Sequence, residues 1–369
     1  MSKTTASHRI TADNRLGLDY TLEAEKLGAP AVPIIDAHSH IHGAKASEVY
    51  RRVRALYGVS MTYSMSGLGE AEFLLEKFGD TMRFIAVPQF MSDDKVHAFT
   101  QGYIDDLVRW HGYGSRICKF WCAPRSVDYG ESVGDPTLLS LDNPWRRKQM
   151  DKATELGMMF MVHIADPDTW FATKYTDAKK YGTKREQYDP LKRMLNEYPQ
   201  PVIAAHMGGS PEDLPFLAEM LTEHENLYLD SSATKWIVRE LSKQPRDELV
   251  EFLTTFKGRV LFGSDIVTVD EHVTADSRDD FDRTKQASSE AEAFELYASR
   301  YWALRTLWET EYEGESNIAD PDLHMVDPKK FTKMDAPTLV GKNMPADILR
   351  SLYSDAAENL LGAWWREHP

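Results

Sequence analysis

VPIIDAHSH, residues 32–40, is the stretch from which the fold can be read. Its apolar start suits a parallel strand covered on both faces, and Asp36, His38 and His40 end it. Residues two apart share a face of a strand, so His38 and His40 are expected side by side, with Asp36 facing the same way. Two neutral imidazoles at the carboxyl end of a strand suit a divalent cation. Taken alone, an H-x-H pair is equally well explained by histidines satisfied by neighbouring backbone.

Seven further β-rich runs follow: VSMTYSM (59–65), RFIAVPQF (83–90), RICKFWC (116–122), MMFMVHIA (158–165), PVIAAHMG (201–208), LYLDSSA (227–233) and RVLFGSDIV (259–267). Between several of them lie segments with helical apolar spacing, at 70–78, 191–198 and 212–221. Ser210 is the expected N-cap of the last of these, with Pro211 opening it. Strands alternating with helices imply right-handed βα units and a parallel sheet. Eight units predict an α/β fold, a closed (β/α)8 TIM barrel. Residues 1–31 form an N-terminal lead-in, and residues 32–369 a single barrel domain. Within it, 268–344 is a long insertion after strand 8, containing a helix at 289–311 and followed by a last helix at 345–361. Loops after barrel strands emerge at the catalytic face, so this insertion is expected as a lid or as an oligomer contact.

The 369 residues carry 43 basic and 58 acidic side chains, a formal net charge of -15, which opposes binding to a phosphate backbone. No apolar run is long enough to span a bilayer, and residues 1–20 lack the apolar stretch of a signal peptide. A cytoplasmic chain with a small-molecule substrate, and neither a nucleic-acid nor a membrane partner, is expected. A homo-oligomer, with the dimer as the commonest case, is the expected assembly. Cys118 and Cys122, the two cysteines, are too few for a disulfide scaffold and read as core thiols.

The other strand ends make His38 and His40 more than a chance pair. His163 closes the fifth run, His206 the sixth, and Asp265 follows Gly263-Ser264 at the end of the eighth. Barrel enzymes place catalytic groups at such positions, and several strands doing so together is hard to assign to packing. Trp170 and Trp236, shortly after strands five and seven, are candidates for an aromatic pocket wall. His272 and His324 fall in the insertion, within possible reach of a substrate. His42, His97, His111 and His224 read as loop or surface histidines, and Gly208-Gly209 as a tight turn.

D-x-H-x-H at 36–40, with His163, His206 and Asp265, resembles the amidohydrolase superfamily. HIADPDTWF (163–171), AAHMGGSPEDLPFL (204–217) and LRSLYSDAAENLLG (349–362) are similar to its amidohydrolase-related branch, the aminocarboxymuconate-semialdehyde decarboxylase-like enzymes. The resemblance implies one divalent metal, zinc first and manganese, iron or cobalt as alternatives, held by His38, His40, His163 and Asp265. It implies catalytic roles for His206 as acid/base and for Asp265 as proton acceptor, with Asp36 orienting the two histidines. Binuclear members carry a bridging lysine on the fourth strand. Lys119 lies there, its face undetermined: it is read as a contact, with Arg125, for an anionic substrate or as a structural lysine, and the metal bridge stays open but is not favoured. The function expected is metal-activated hydrolysis of a small amide, ester or lactone. The alternatives are a lyase, decarboxylating or hydrating an unsaturated or aromatic acid, and a catalytically silent barrel marked by lost metal residues.

Overall fold

A computed structural model describes residues 9–368, so the first eight residues of the lead-in lie outside it. Nine short parallel strands run round a barrel: β1 (Ile34–His40), β2 (Val59–Ser64), β3 (Met82–Phe84), β4 (Ile117–Trp121), β5 (Met159–His163), β6 (Val202–Ala204), β7 (Leu227–Asp230), β8 (Val260–Leu261) and β9 (Ile266–Val267). They pair in two arcs, β3-β2-β1-β9 and β4-β5-β6-β7-β8. Backbone bonds close both gaps. Ala86 N donates to Ile117 O at 2.8 Å, Lys119 N to Ala86 O at 2.8 Å, and Ala37 N to Phe262 O at 2.9 Å. The chain is a (β/α)8 barrel, and β8 and β9 are two pieces of its eighth strand.

Alternation along the strands separates two cores. Ile35, Ala37, Tyr63, Ile85, Ile117, Met159, Met161, Ile203 and Leu261 fill the barrel, with Leu360 and Leu361 packed against them. Ile34, Val59, Phe84, Cys118, Phe120, Phe160, Val162 and Leu229 pack outward beneath the helices. Both cysteines are free and buried, and burial pushes the Cys122 thiol up to about 12. Core thiols they are.

Two local expectations change. The helix predicted from 212 begins at Leu214, capped by Asp213, whose carboxylate accepts from Phe216 N. Ser210 only closes a turn, its carbonyl taking Asp213 N at 3.0 Å. The eighth strand breaks at Gly263-Ser264-Asp265, because Ser264 N turns to the Asp36 carboxylate at 3.1 Å and Asp265 adopts φ 57°.

The insertion is tied into the barrel by its helix Glu290–Glu309, capped by Ser289. The Tyr301 hydroxyl donates to Asp36 Oδ2 at 2.7 Å and meets the Tyr50 hydroxyl at 2.9 Å. Beyond this helix, β10 (Glu313–Glu315) and β11 (Thr338–Val340) form an antiparallel pair. The lead-in joins the same region: Ala319 N donates to Ala12 O at 2.7 Å, and Arg15 N to Asn317 O at 2.9 Å. The last helical stretch runs from Ala346 to Glu367 through two wide π turns, beyond the 361 expected. No helix among the described residues is long and apolar enough to cross a membrane.

Candidate metal centre

Two of the carboxyl strand ends, those of β1 and of the eighth strand, bring three side chains to one point. His40 Nε2 lies 3.2 Å and His38 Nε2 3.5 Å from Asp265 Oδ1. The ligand atoms of these three residues lie within 4.8 Å of one another, the spacing of a shared cation. His38 Nδ1 is held 2.8 Å from Asp230 Oδ2, which leaves the Nε2 lone pair facing the Asp265 carboxylate. Two acceptors opposed in this way repel unless a cation lies between them. The donor set therefore fits a divalent metal.

Strict alternation would not have built this cluster. The β1–β2 register shifts between Asp36 and Ser39. Asp36 therefore stays on the outer side, bonded to Ser264, Tyr301 and the His38 N–H, while His38 reaches the mouth. The expectation that Asp36 faces with the histidines is corrected, though its contact with the His38 backbone does orient that residue. Burial pushes the Asp36 carboxyl up to about 6, against the pull of Ser264 and Tyr301.

His206 is placed by backbone geometry as well. Ile203 faces the barrel, so continued extended chain would send His206 to the helix side. Instead His206 and Met207 take φ of 59° and 51°, and Ala233 takes 68°. Left-handed non-glycine residues cost about 1–3 kcal/mol each and gather where a site demands them. The His206 N–H is fixed on Asp230 Oδ1 at 2.9 Å. The Ser232 hydroxyl donates to Asp230 Oδ1, so its oxygen accepts from His206 Nδ1 at 2.7 Å. This sets the tautomer, with the proton on Nδ1 and a lone pair on Nε2. Burial, and next His163, hold the ring well below the ordinary histidine range. Burial also lowers His40 to about 4, despite Asp265. Burial works against the Asp265 charge, but the hydrogen bond from His40 and the nearby histidines outweigh it and hold the carboxyl low.

His163 reaches the mouth, its ring 4.6 Å from that of His206, but it falls outside the close ligand group. Its Nε2 is taken by Asp166 at 3.0 Å, and Asp166 also accepts from Tyr175. Lys119 belongs to the inward series with Ile117, and its buried Nζ has no hydrogen-bond partner. Burial lowers it to about 8, offset in part by Asp230 and Asp265. Arg125 is exposed beside the helix Ser126–Glu131 and is not among the residues of the cavity wall. His272 is bound to Tyr297 and Arg283 O, and His324 to Phe331 O, so both serve loop structure. His42 pairs with Glu70 at 2.6 Å.

A cavity of about 410 Å³ opens over the cluster, with His163, His206, Asp265, Trp170 and Trp236 in its wall. The two indoles are fixed by Asp322 and Glu212. Asp230 and Ser232 were not among the residues expected. Asp230 ends the apolar run LYLD, the same signal that marked His163, and was open to recognition. Ser232 carried no such mark.

Gly263 runs against this cluster: a Cβ there would come within 2.9 Å of His38 Cβ and 3.0 Å of Ser232 Cβ. Gly263→Ala is expected to lower kcat/KM roughly 10- to 100-fold, since displacements near 1 Å cost about that much. The fold should survive, as checked by circular dichroism. Unchanged kinetics would show that the contact is slack.

Comparison with known proteins adds the following. The chain matches the family described as Amidohydrolase over residues 35–299. Comparison with curated proteins gives no match. Among solved structures it is similar to an uncharacterized TIM-barrel protein, Bb4693, from Bordetella bronchiseptica, with 12% identity, TM-score 0.45, and 94% of this chain and 90% of that one covered. It is also similar to 2,6-dihydroxybenzoate decarboxylase from Rhizobium, with 13% identity, TM-score 0.41, and 74% and 99% covered. For Metarhizium anisopliae IDCase the figures are 11%, 0.36, 89% and 81%. The family match takes in the β1 motif, His163, His206 and Asp265, and it spans well over half of the sequence: the chain belongs to the amidohydrolase family.

Proposed function

We propose that this protein is a metal-dependent hydrolase of a small amide, ester or lactone. The observation that carries the reading is the hydrogen-bond chain from Asp230 through Ser232 to His206 Nδ1, which makes Nε2 the proton acceptor in the wall of the cavity over the His38, His40 and Asp265 cluster. Hydrolysis needs a base at that place, whereas protonating a carbon after decarboxylation needs an acid.

His38, His40 and Asp265 would hold the metal, with His163 as the further imidazole; zinc suits such donors, and manganese, iron and cobalt are the alternatives. When bound, such a cation polarises oxygen and stabilises the negative charge developing at a carbonyl. Asp230 keeps His38 in the tautomer with a free Nε2 and, through Ser232, does the same for His206. As the water oxygen bonds to the carbonyl carbon, His206 Nε2 takes the water proton. When the carbon–nitrogen or carbon–oxygen bond breaks, that proton passes to the leaving atom. Trp170 and Trp236 flank the substrate and exclude water.

The test is a paired assay on the purified full chain, following acid release from γ-lactones, aryl esters and N-acyl amides, and carbon dioxide release from hydroxybenzoic and dienoic acids. Hydrolysis without carbon dioxide is expected, and His206→Asn should lower kcat roughly 10²- to 10⁴-fold. Carbon dioxide release with no hydrolysis overturns the reading in favour of a lyase.

A further inference from the structure

The cavity extends past the metal cluster to a wall made by parts outside the minimal barrel. Lys235 lies in the first turn of the helix Thr234–Lys243, three residues after Ser232. Arg283, Gln286 and Tyr297 come from the insertion, and Arg300 stands beside them on the long helix. Arg300 is paired with Asp13 of the lead-in at 2.7 Å. Asp320 and Asp322, the acids on the same side, are both engaged by Arg239. Lys235 and Arg283 have no carboxylate partner among the described residues. Their charges are open to the cavity.

The unpaired cations in the cavity wall point to an anion at this place, and three features accord with it. Burial, then Arg300 and Arg283, hold the Lys235 ammonium below the ordinary lysine value, and Asp13 and Asp320 only partly compensate. The helix Thr234–Lys243 has Ala233 as its N-cap, with no side-chain oxygen to satisfy the first-turn N–H groups, and residues 233–236 all line the cavity. Such N–H groups attract negative charge. Finally, a chain of net charge -15 repels anions at long range, so a local excess of cations inside a cavity needs its own explanation. Asp13, Asp320 and Asp322 nearby disfavour a dianion. The flat walls of Trp236 and Tyr297 suit a planar carbon skeleton.

We propose that Lys235 and Arg283, backed by Arg300, form a carboxylate subsite that selects substrates bearing a carboxylate beside the bond placed at His206. The position of that bond rests on the hydrolase reading; capture of the anion does not. Lys235 and Arg283 are specificity residues, outside the metal cluster, and Asp13 positions Arg300.

The test is the change in tryptophan fluorescence of the full chain, two of whose nine tryptophans, Trp170 and Trp236, stand in the cavity wall, titrated with benzoate, benzamide and phenyl phosphate. Benzoate is expected to saturate the signal, and benzamide to bind at least ten-fold more weakly. Lys235→Met and Arg283→Met should each weaken benzoate about ten-fold or more, the size of one lost charged hydrogen bond. Circular dichroism confirms folding; Arg283 is exposed, so its variant remains informative if Lys235→Met fails to fold. His38→Asn should leave benzoate binding within about two-fold. Benzoate binding lost in His38→Asn but unaltered in Lys235→Met and Arg283→Met places the anion on the metal, and equal binding of benzamide removes the charge; either result overturns the subsite. Phenyl phosphate binding ten-fold tighter than benzoate overturns the choice of carboxylate. A subsite that passes while every hydrolysis assay is negative defeats the reaction assignment alone.

Discussion

His38→Asn is expected to abolish metal retention and to lower kcat/KM by roughly 10³-fold or more, since several kcal/mol of charge stabilisation is lost with the cation. His38 is 1% exposed, and it is the residue shared by both close groups of metal-ligating side chains, His38–His40–Asp265 and His38–His206–Asp230. Asparagine keeps a polar side chain of smaller volume but has no imidazole nitrogen at the Nε2 position. Elemental analysis of protein purified without chelator should find about one equivalent of a divalent metal in the native chain and little in the variant. Asp230→Asn keeps the cluster's ligands but weakens the tie on His38 Nδ1 and the N–H and hydroxyl contacts around His206. It should cost about 10- to 100-fold in metal affinity or activity, the usual effect of a partner that orients a ligand. A native chain free of metal, or a His38→Asn variant of full activity, would sink the metal assignment.

The largest stability effect is expected at Arg239, which is 2% exposed. Its guanidinium joins Glu240 at 2.6 Å, Asp320, and Asp322 at 3.3 Å, so it ties the insertion to the helix after β7. Arg239→Ala leaves the Asp320 carboxylate buried without its main counter-charge and should cost about 3–5 kcal/mol. Glu240 keeps Lys243 at 2.7 Å and suffers less. Urea unfolding followed by tryptophan fluorescence measures the loss. Adding Asp320→Asn to the alanine variant should restore part of it, because the stranded charge is then gone. A midpoint for Arg239→Ala equal to that of the native chain would mean that water reaches these carboxylates and the network contributes nothing. The same variant should raise KM, since Asp320 and Asp322 hold the cavity wall that contains Trp170.

The barrel was legible from periodicity because eight apolar runs bounded by turn residues leave few other ways to bury them. Cys118 and Cys122 read as core thiols, and Trp170 and Trp236 as wall residues, by the same logic of burial and position. Lys119 could not be assigned a face from its run of neighbours; the register with β5, Lys119 opposite Met161, puts it in the inward series. Arg125 was chosen for its charge near a strand end, and charge alone says nothing of which way a side chain leaves a loop. His163 was grouped with the ligands by the family resemblance, and the structure brings it to the mouth beside His206, with Asp166, three residues on, at its Nε2. A neighbour so close in sequence was visible, but the turn that folds it back was not.

Apolar spacing, then, was sufficient for the barrel and for which strand ends carry polar groups, because burial is a local property of each run; the resemblance to the family came from the D-x-H-x-H motif with His163, His206 and Asp265. Which of those groups meet depended on departures from regular strand geometry: the β1 register shift, and the left-handed backbone at His206 and Asp265. Those departures are held by Asp36, Asp230 and Ser264, whose partners are mostly distant along the chain. A hydrogen bond between residues some two hundred positions apart leaves no periodic trace, so it emerges only once the chain has folded.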